Sequence, residues 1–287
     1  MSEKLLTIGM ATYDDYDGVY FTIQALRLYH DICNTDQVEF VVIDNNSTSK
    51  HGEEVKSFIE KNVKGTYVAN TKQNASWTKY QVPDYANGKY IIIVDCHVLL
   101  IKDAIDNLLK YYEKTPNCKN LIQGPLLANN LKTINTHWNP IWQGHMYGAW
   151  ANDDESLKKG EPFIIPMQGM ACMSFERAAW KGISPHFKNF GGEQGYIAEK
   201  FRSWGGENIC LPSFQWVHRF GRPSGVPFRL ALEDRVWNYF IGWLDLYNDP
   251  SHIKIKETYN HFKDKLPEGR IDKILNAALQ VFNLGTL

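Results

Sequence analysis

The run "YIIIVDCHVLL", residues 90–100, constrains this chain more than any other stretch. Ile91, Ile92, Ile93 and Val94 are consecutive and β-branched. A strand made of them has no polar side to give to solvent, so it belongs to a parallel sheet covered on both faces. The run then stops at Asp95 and His97, with Cys96 between them. A carboxylate and an imidazole at that point lie at the carboxyl edge of the sheet, where open α/β sheets bind their ligands.

The segments before it repeat the same theme. Residues 5–11 and 38–44 read as strands, and Ile23, Leu26 and Tyr29 recur at helical spacing within an amphipathic segment from Val19 to about Ile32. Residues 52–62 and 74–87 read as further helices. This alternation predicts a βαβαβ unit with right-handed crossovers. The stretch from about 119 to 170, rich in Trp, Asn, Gly and Pro, is expected to hold one or two more strands and long loops. Helices are predicted over 192–203, over Leu232, Val236, Tyr239, Phe240 and Trp243, and over 268–283. The expected architecture is α/β, with a mostly parallel central sheet flanked by helices. The expected division is an α/β domain over 1–248, in two halves (1–100 and 101–248), then a helical extension over 249–287.

Bulk properties exclude several function classes. A formal charge of −1 lacks the global basic field of a dedicated nucleic-acid binder. The five cysteines are scattered without a CxxC pair, which argues against a disulfide framework or a zinc knuckle. The opening "MSEKLLTIGMATYDD" contains no signal-peptide core, and no apolar stretch is long enough to span a bilayer. The expected location is the cytoplasm.

Three constellations carry chemistry. In "VVIDNNS" a buried strand ends in Asp44-Asn45-Asn46-Ser47. A carboxylate there can accept hydrogen bonds from a base imide or ribose hydroxyls, although these are also ordinary turn formers. Asp95 and His97, as residues i and i+2 of an extended chain, are expected to point the same way and converge on one ion. Oxygen with imidazole suits Mn²⁺ or a similar divalent cation. A third ligand is needed, and His218 in "FQWVHRFGR" stands out because Arg219 and Arg222 follow it. A cation beside guanidinium groups is what a diphosphate leaving group requires. Finally, "NFGGEQGYIAEKFRSWGGE" places Glu193 after a glycine pair that permits close backbone approach. The carboxylate suits a polyol ligand, or simply the positive end of a helix dipole.

Together these stretches resemble glycosyltransferases of the GT-A fold, and most of all the catalytic domain of the polypeptide N-acetylgalactosaminyltransferases, which carry Asp-x-His as their metal motif. The resemblance runs from Leu5 to about residue 248. "TIGMATYDDYDGVYFTIQAL" and "VVIDNNS" match the nucleotide half, and "YIIIVDCHVLL" the metal motif. "IIPMQGMACMSFERAAWKGI" and "FGGEQGYIAEKFRSW" match the sugar-site segments, "VHRFGR" the stretch with the third ligand, and "LEDRVWNYFIGWLDLY" the closing helix. The resemblance implies that Thr12 and Asp44, with Lys79 and Asp95, bind the nucleotide. It implies that Asp95, His97 and His218 hold Mn²⁺ or another divalent cation. Gln168, Gly169, Phe190, Gly191, Gly192, Glu193 and Trp204 would line the sugar and acceptor site. Phe190 stands where the family has Trp, and Gln194 where it has Asn. Arg219 or Arg222 meets the diphosphate. Nothing in the sequence reads as the family's anchor, stem or lectin domain.

The function so implied is metal-dependent transfer of a sugar from a UDP-sugar to a hydroxyl, with retention at the anomeric carbon. The acceptor is a protein, a glycan or a hydroxymethylated base in viral DNA. A DNA acceptor would need a basic groove, for which Lys72, Lys79 and the arginines from 219 to 235 are candidates. The rival readings are a degenerate domain that binds nucleotide sugar without turnover, and a zinc hydrolase using the same triad.

Overall fold

The computed structural model describes residues 4–70, 75–222 and 225–284; Lys72 lies outside them. Alternate residues of the central strands enter two different cores. In the strand Gly88–Val94, Ile91 and Ile93 join one buried cluster while Tyr90, Ile92 and Val94 join the other. Val38–Asp44 divides in the same way, Val41 and Ile43 against Phe40 and Val42. A period of two with every position apolar demands cover on both faces.

In chain order the strands are β1 (Lys4–Thr12), β2 (Val38–Asp44), β3 (Thr66–Ala69), β4 (Gly88–Val94), β5 (Val98–Leu100), β6 (Leu121–Gln123), β7 (Leu126–Leu127), β8 (Ile134–Asn135), β9 (His137–Gln143), β10 (Met146–Ala151), β11 (Phe163–Ile164), β12 (Cys172–Glu176), β13 (Asn208–Cys210) and β14 (Trp216–His218). The main sheet has the order β11-β13-β6-β12-β4-β1-β2-β3. A second sheet, β5-β14-β7-β8, and the β9–β10 hairpin stand beside it.

The helices are α1 (Tyr16–Tyr29), α2 (Lys50–Phe58), α3 (Ala75–Thr78), α4 (Val82–Tyr85), α5 (Ala104–Lys114), α6 (Asp154–Lys159), α7 (Gln194–Ser203), α8 (Leu232–Tyr247), α9 (Ile253–Phe262) and α10 (Arg270–Val281). Buried residues of α1, α2 and α5 belong to one core, and those of α7 to α10 belong to the other. The α/β architecture with a helical C-terminal region is therefore as expected.

The main sheet is mostly parallel, as expected, its exceptions being β12, antiparallel to both β4 and β6, and β11, antiparallel to β13. β12 begins beside the end of β4, where Asp95 N–H donates to the Ala171 carbonyl at 2.8 Å. From that edge it can only run back. Two expectations need correction. Residues 74–87 are not one helix: a 3₁₀ turn over Lys79–Gln81 separates α3 from α4, whose first turn holds Pro83. Proline has no N–H to continue a helical ladder and clashes with the preceding turn. The middle of the chain holds six strands, β6 to β11, where one or two were expected. Four of them, β6, β7, β8 and β11, are two or three residues long and carry no readable period of their own.

Candidate active site

Asp95, His97 and His218 meet at the carboxyl edge of β4, by a route other than the pleat of a strand. β4 ends at Val94, and Val98 N–H donates back to the Asp95 carbonyl at 3.2 Å, closing a tight turn over Asp95-Cys96-His97. The turn gathers the two side chains. His218 arrives on β14, whose antiparallel ladder with β5 sets His218 opposite Val98. One ligand atom from each of the three lies within 4.8 Å of the others. His218 Nε2 is 3.4 Å from Asp95 Oδ2, and the two imidazole centroids are 4.8 Å apart.

Each ligand is held from behind. Lys79 Nζ donates to Asp95 Oδ1 at 3.0 Å and to the Met170 carbonyl at 2.7 Å, leaving Oδ2 facing His218. Burial alone would push the Asp95 carboxyl up. The Lys79 charge and the His218 hydrogen bond outweigh it and bring it well below the usual carboxylate range. His218 is shifted down by burial, against the pull of Asp95, so it stays neutral and able to donate a lone pair. Its Nδ1 is buried without a hydrogen-bond partner. On His97, Nδ1 lies 3.2 Å from Asp15 Oδ2. A carboxylate behind a histidine sets the tautomer and ring direction, leaving Nε2 to the ion. One carboxylate oxygen and two imidazole nitrogens at these separations fit a single divalent cation.

The arginines reach the same place unequally. Arg219 Nη2 pairs with both Asp15 oxygens, at 3.0 and 2.8 Å, and its side chain is 48% exposed. Arg222 is 18% exposed, and its Nη2 stands 3.3 and 3.4 Å from the two ring nitrogens of His97. Asp15 also caps α1, accepting from Gly18 N–H. Burial raises its carboxyl, but His97 and Arg219 take it far below the usual range.

A cleft of about 340 Å³ opens from this centre, within the usual span of small-ligand sites. Thr12, Lys79, Asp95, His97, Gly169, Phe190, Glu193, His218, Arg219 and Arg222 all line it. Gly191 and Gly192 carry φ of +89° and +95°, a left-handed backbone that a side chain resists. A Cβ on Gly192 would stand 3.0 Å from the Arg235 carbonyl oxygen. The bare turn against α8 thus delivers Glu193, one residue before α7, to the cleft wall. Burial raises the Glu193 carboxyl. Its Oε1 accepts from Tyr80 and Gln194, both at 3.2 Å, while Oε2 has no partner.

Three named residues stand elsewhere. Asp44 is 1% exposed and lies off the cleft wall. It accepts from Asn46 N–H and from the Tyr67 hydroxyl, both at 2.8 Å, and burial raises its carboxyl. Gln168 is wholly buried, its amide tying the Gly124 and Thr136 carbonyls together at 2.9 and 2.7 Å. Trp204 ends α7 away from the cleft, with Lys200 Nζ 5.3 Å from its ring.

Sequence reasoning passed over Asp15, Asn45, Tyr80, Trp138 and Trp150. Asn45 lines the cleft beside Thr12 and accepts from Thr78 Oγ1 and Asn70 Nδ2, both at 2.7 Å. Asp15 was legible as an N-cap directly after a strand, which puts it at the same sheet edge. Trp138 and Trp150 carry no local signal. They reach the cleft because the β9–β10 register sets them opposite each other.

The sequence profile of glycosyl transferase family 2 matches residues 7–178, well over half of the chain. The chain belongs to glycosyl transferase family 2. The resemblance read from the sequence is borne out at the level of fold and family. Among solved structures it is similar to GalNAc-T7 with UDP, GalNAc and Mn²⁺, at TM-score 0.70 and 14% identity over 99% of this chain and 55% of that one. The chain thus spans about half the length of GalNAc-T7. It is similar also to the mannosyltransferase PcManGT of Pyrobaculum calidifontis, in complex with GDP-Man and Mn²⁺ (TM-score 0.60, 16% identity, 100% and 77% coverage). A third is S. aureus TarS (TM-score 0.54, 12% identity, 96% and 43% coverage). No curated protein matches the sequence. Among the described residues no helix is long and apolar enough to cross a membrane.

Proposed function

We propose that this glycosyltransferase moves a sugar from a UDP-sugar to a hydroxyl acceptor in the cleft, with Mn²⁺ or another divalent cation held by Asp95, His97 and His218. The observation that carries the reading is the meeting of those three ligand atoms within 4.8 Å at the sheet edge, with Arg222 against His97. That GalNAc-T7 and PcManGT were both crystallised with Mn²⁺ and a nucleotide or nucleotide sugar supports it. When bound, the cation neutralises charge on the departing diphosphate as a Lewis acid.

The chain's own residues do the rest. Thr12 and Asn45 face the nucleoside, with Asp44 buried behind them and shaping the turn that carries Asn45. Arg222 donates to the diphosphate oxygens and Arg219 approaches from the rim, each strengthening charge stabilisation where water is thin. Lys79 keeps Asp95 ionised and aimed. Glu193 accepts from a sugar hydroxyl through its free Oε2, against a wall that includes Gly169 and Phe190. Retention at the anomeric carbon belongs to the proposal, because a front-face route needs no protein nucleophile. An inverted product would instead make Glu193 the base.

Protein, glycan and hydroxymethylated DNA remain the acceptor classes, and the basic residues of the mouth weigh against DNA. Lys79 pairs with Asp95, Arg219 and Arg222 with Asp15, and Arg229 with Asp234, so these four form no free cationic stripe for a phosphate backbone. The test is UDP release from a panel of UDP-sugars, with mass spectrometry of all three acceptor classes and NMR of the product's anomeric centre. Transfer is expected to require Mn²⁺ and to vanish in Asp95→Asn. Turnover that survives a chelator would sink the metal assignment, and donor binding without UDP release would leave a binding domain.

A further inference from the structure

The two hydrogen bonds on Glu193 fall on one oxygen. Tyr80 hydroxyl and Gln194 Nε2 both donate to Oε1, at 3.2 Å each, while Oε2 is buried with no partner. A buried, partnerless carboxylate oxygen is expensive unless a ligand brings a donor to it. The choice of oxygen is enforced from the core. Tyr80 is 2% exposed, and its ring stacks on Trp180 with centroids 6.1 Å apart and planes 18° apart. A ring so packed cannot lend its hydroxyl elsewhere. Tyr80 also follows Lys79 on the same 3₁₀ turn, and Lys79 grips Asp95 at 3.0 Å. One three-residue turn therefore holds both carboxylates of the cleft wall.

We propose that Tyr80 is a positioning residue: its hydroxyl aims the Glu193 carboxylate so that Oε2 meets a hydroxyl of the donor sugar, and the Lys79–Tyr80 turn keeps that oxygen in register with the diphosphate end. This rests on the reading of the cleft as a UDP-sugar site. Tyr80→Phe removes one hydrogen bond and keeps the ring, so the fold is retained, which a melting curve checks. In the presence of Mn²⁺, calorimetric titration of the full chain with UDP, and with UDP-N-acetylgalactosamine, UDP-N-acetylglucosamine, UDP-galactose and UDP-glucose, separates the nucleotide from the sugar. Tyr80→Phe is expected to leave the Kd for UDP within about twofold. It should raise the Kd for the best-bound UDP-sugar by about three- to tenfold, the worth of one hydrogen bond. In Glu193→Ala the same Tyr80→Phe change should add nothing, because the hydroxyl acts only through that carboxylate.

Equal weakening of UDP and UDP-sugar would make Tyr80 a packing residue and overturn the proposal, as would full additivity with Glu193→Ala. A Tyr80→Phe protein with unaltered sugar binding overturns it while leaving the function standing. A wild-type protein that binds none of the four UDP-sugars overturns the function as well.

Discussion

At the scale of single residues, the site treats its carboxylates differently. Asp95 and Asp15 are held ionised by cations beside them, whereas Glu193 is buried with half of its carboxylate idle. The raised Glu193 carboxyl has a consequence for stability. Its ordinary value is near 4.5. Below that pH the group is protonated both folded and unfolded, and nothing is lost. As pH rises through the raised folded value, the native state must bury a charge that the unfolded chain leaves in water, so stability falls. Glu193→Gln removes the charge and keeps an acceptor for Tyr80 and Gln194. The variant is expected to melt above wild type at pH 7.5 and to converge with it as pH is lowered toward 4.5. Lifting the desolvation cost of the buried charge is worth roughly 1–3 kcal/mol, at about 2–4 °C for each kcal/mol in a domain of this size. Calorimetric melts at both pH values check this. A variant that melts lower at pH 7.5 would show that Oε2 has a partner in the ligand-free protein.

Elements deliver these residues with unequal authority. β14 is only three residues long, yet its ladder fixes Trp216, Val217 and His218 opposite Leu100, Leu99 and Val98. Trp216 Nε1 adds a bond to the Gly124 carbonyl at 2.7 Å. His218 therefore stands in one place relative to the Asp95–His97 turn. His137 belongs to β9, where it bonds to Thr136 and Asn139, and His145 sits at the tip of the β9–β10 hairpin. His218→Ala is expected to weaken Mn²⁺-dependent UDP binding at least about a hundredfold, since even residues behind a ligand are worth ten- to a hundredfold. His137→Ala and His145→Ala should change it less than about threefold. Calorimetry with and without Mn²⁺ makes the comparison, and similar losses at all three would point to a general structural effect.

At the scale of the whole molecule, the C-terminal helices bear on the proposed division at residue 248. Ile255, Phe262, Ile271, Ile274, Leu275, Ala278 and Leu279 are buried in the same cluster as Ile91, Ile93 and the α8 aromatics. Trp243 Nε1 donates to Thr258 Oγ1 at 3.2 Å, and the His261 ring stacks on Trp142 with centroids 4.5 Å apart. Each buried aliphatic or aromatic side chain contributes roughly 1.5–3 kcal/mol, so the segment's share is comparable with the 5–15 kcal/mol of a typical domain. The full chain is expected to unfold in urea in one transition. A chain cut after Asn248 should be insoluble or lack that transition. A truncated chain with an unchanged urea midpoint would make 249–287 an independent extension.

Wherever a residue's neighbours along the chain set its surroundings, the sequence was a sufficient guide. Ile91–Val94 could only be a strand covered on both sides, Asp95 had to fall at its carboxyl edge, and the glycines before Glu193 had to mark a tight approach. Those signals are local: a period of two, a period of 3.6, or a residue whose backbone preference is narrow. Distant pairings left no such trace. That Asp95 and His97 converge through a turn, that Asp15 stands behind His97, and that Tyr80 bonds to Glu193 across 113 positions all depend on how strands order themselves in the sheet. The same holds for Gln168 and Trp204, whose motif is plain but whose side chains face the interior and the far end of α7. A motif names the residues near a site. Strand order and register determine which side chains reach it, because contacts between distant segments form only when the whole sheet and both its cores close together.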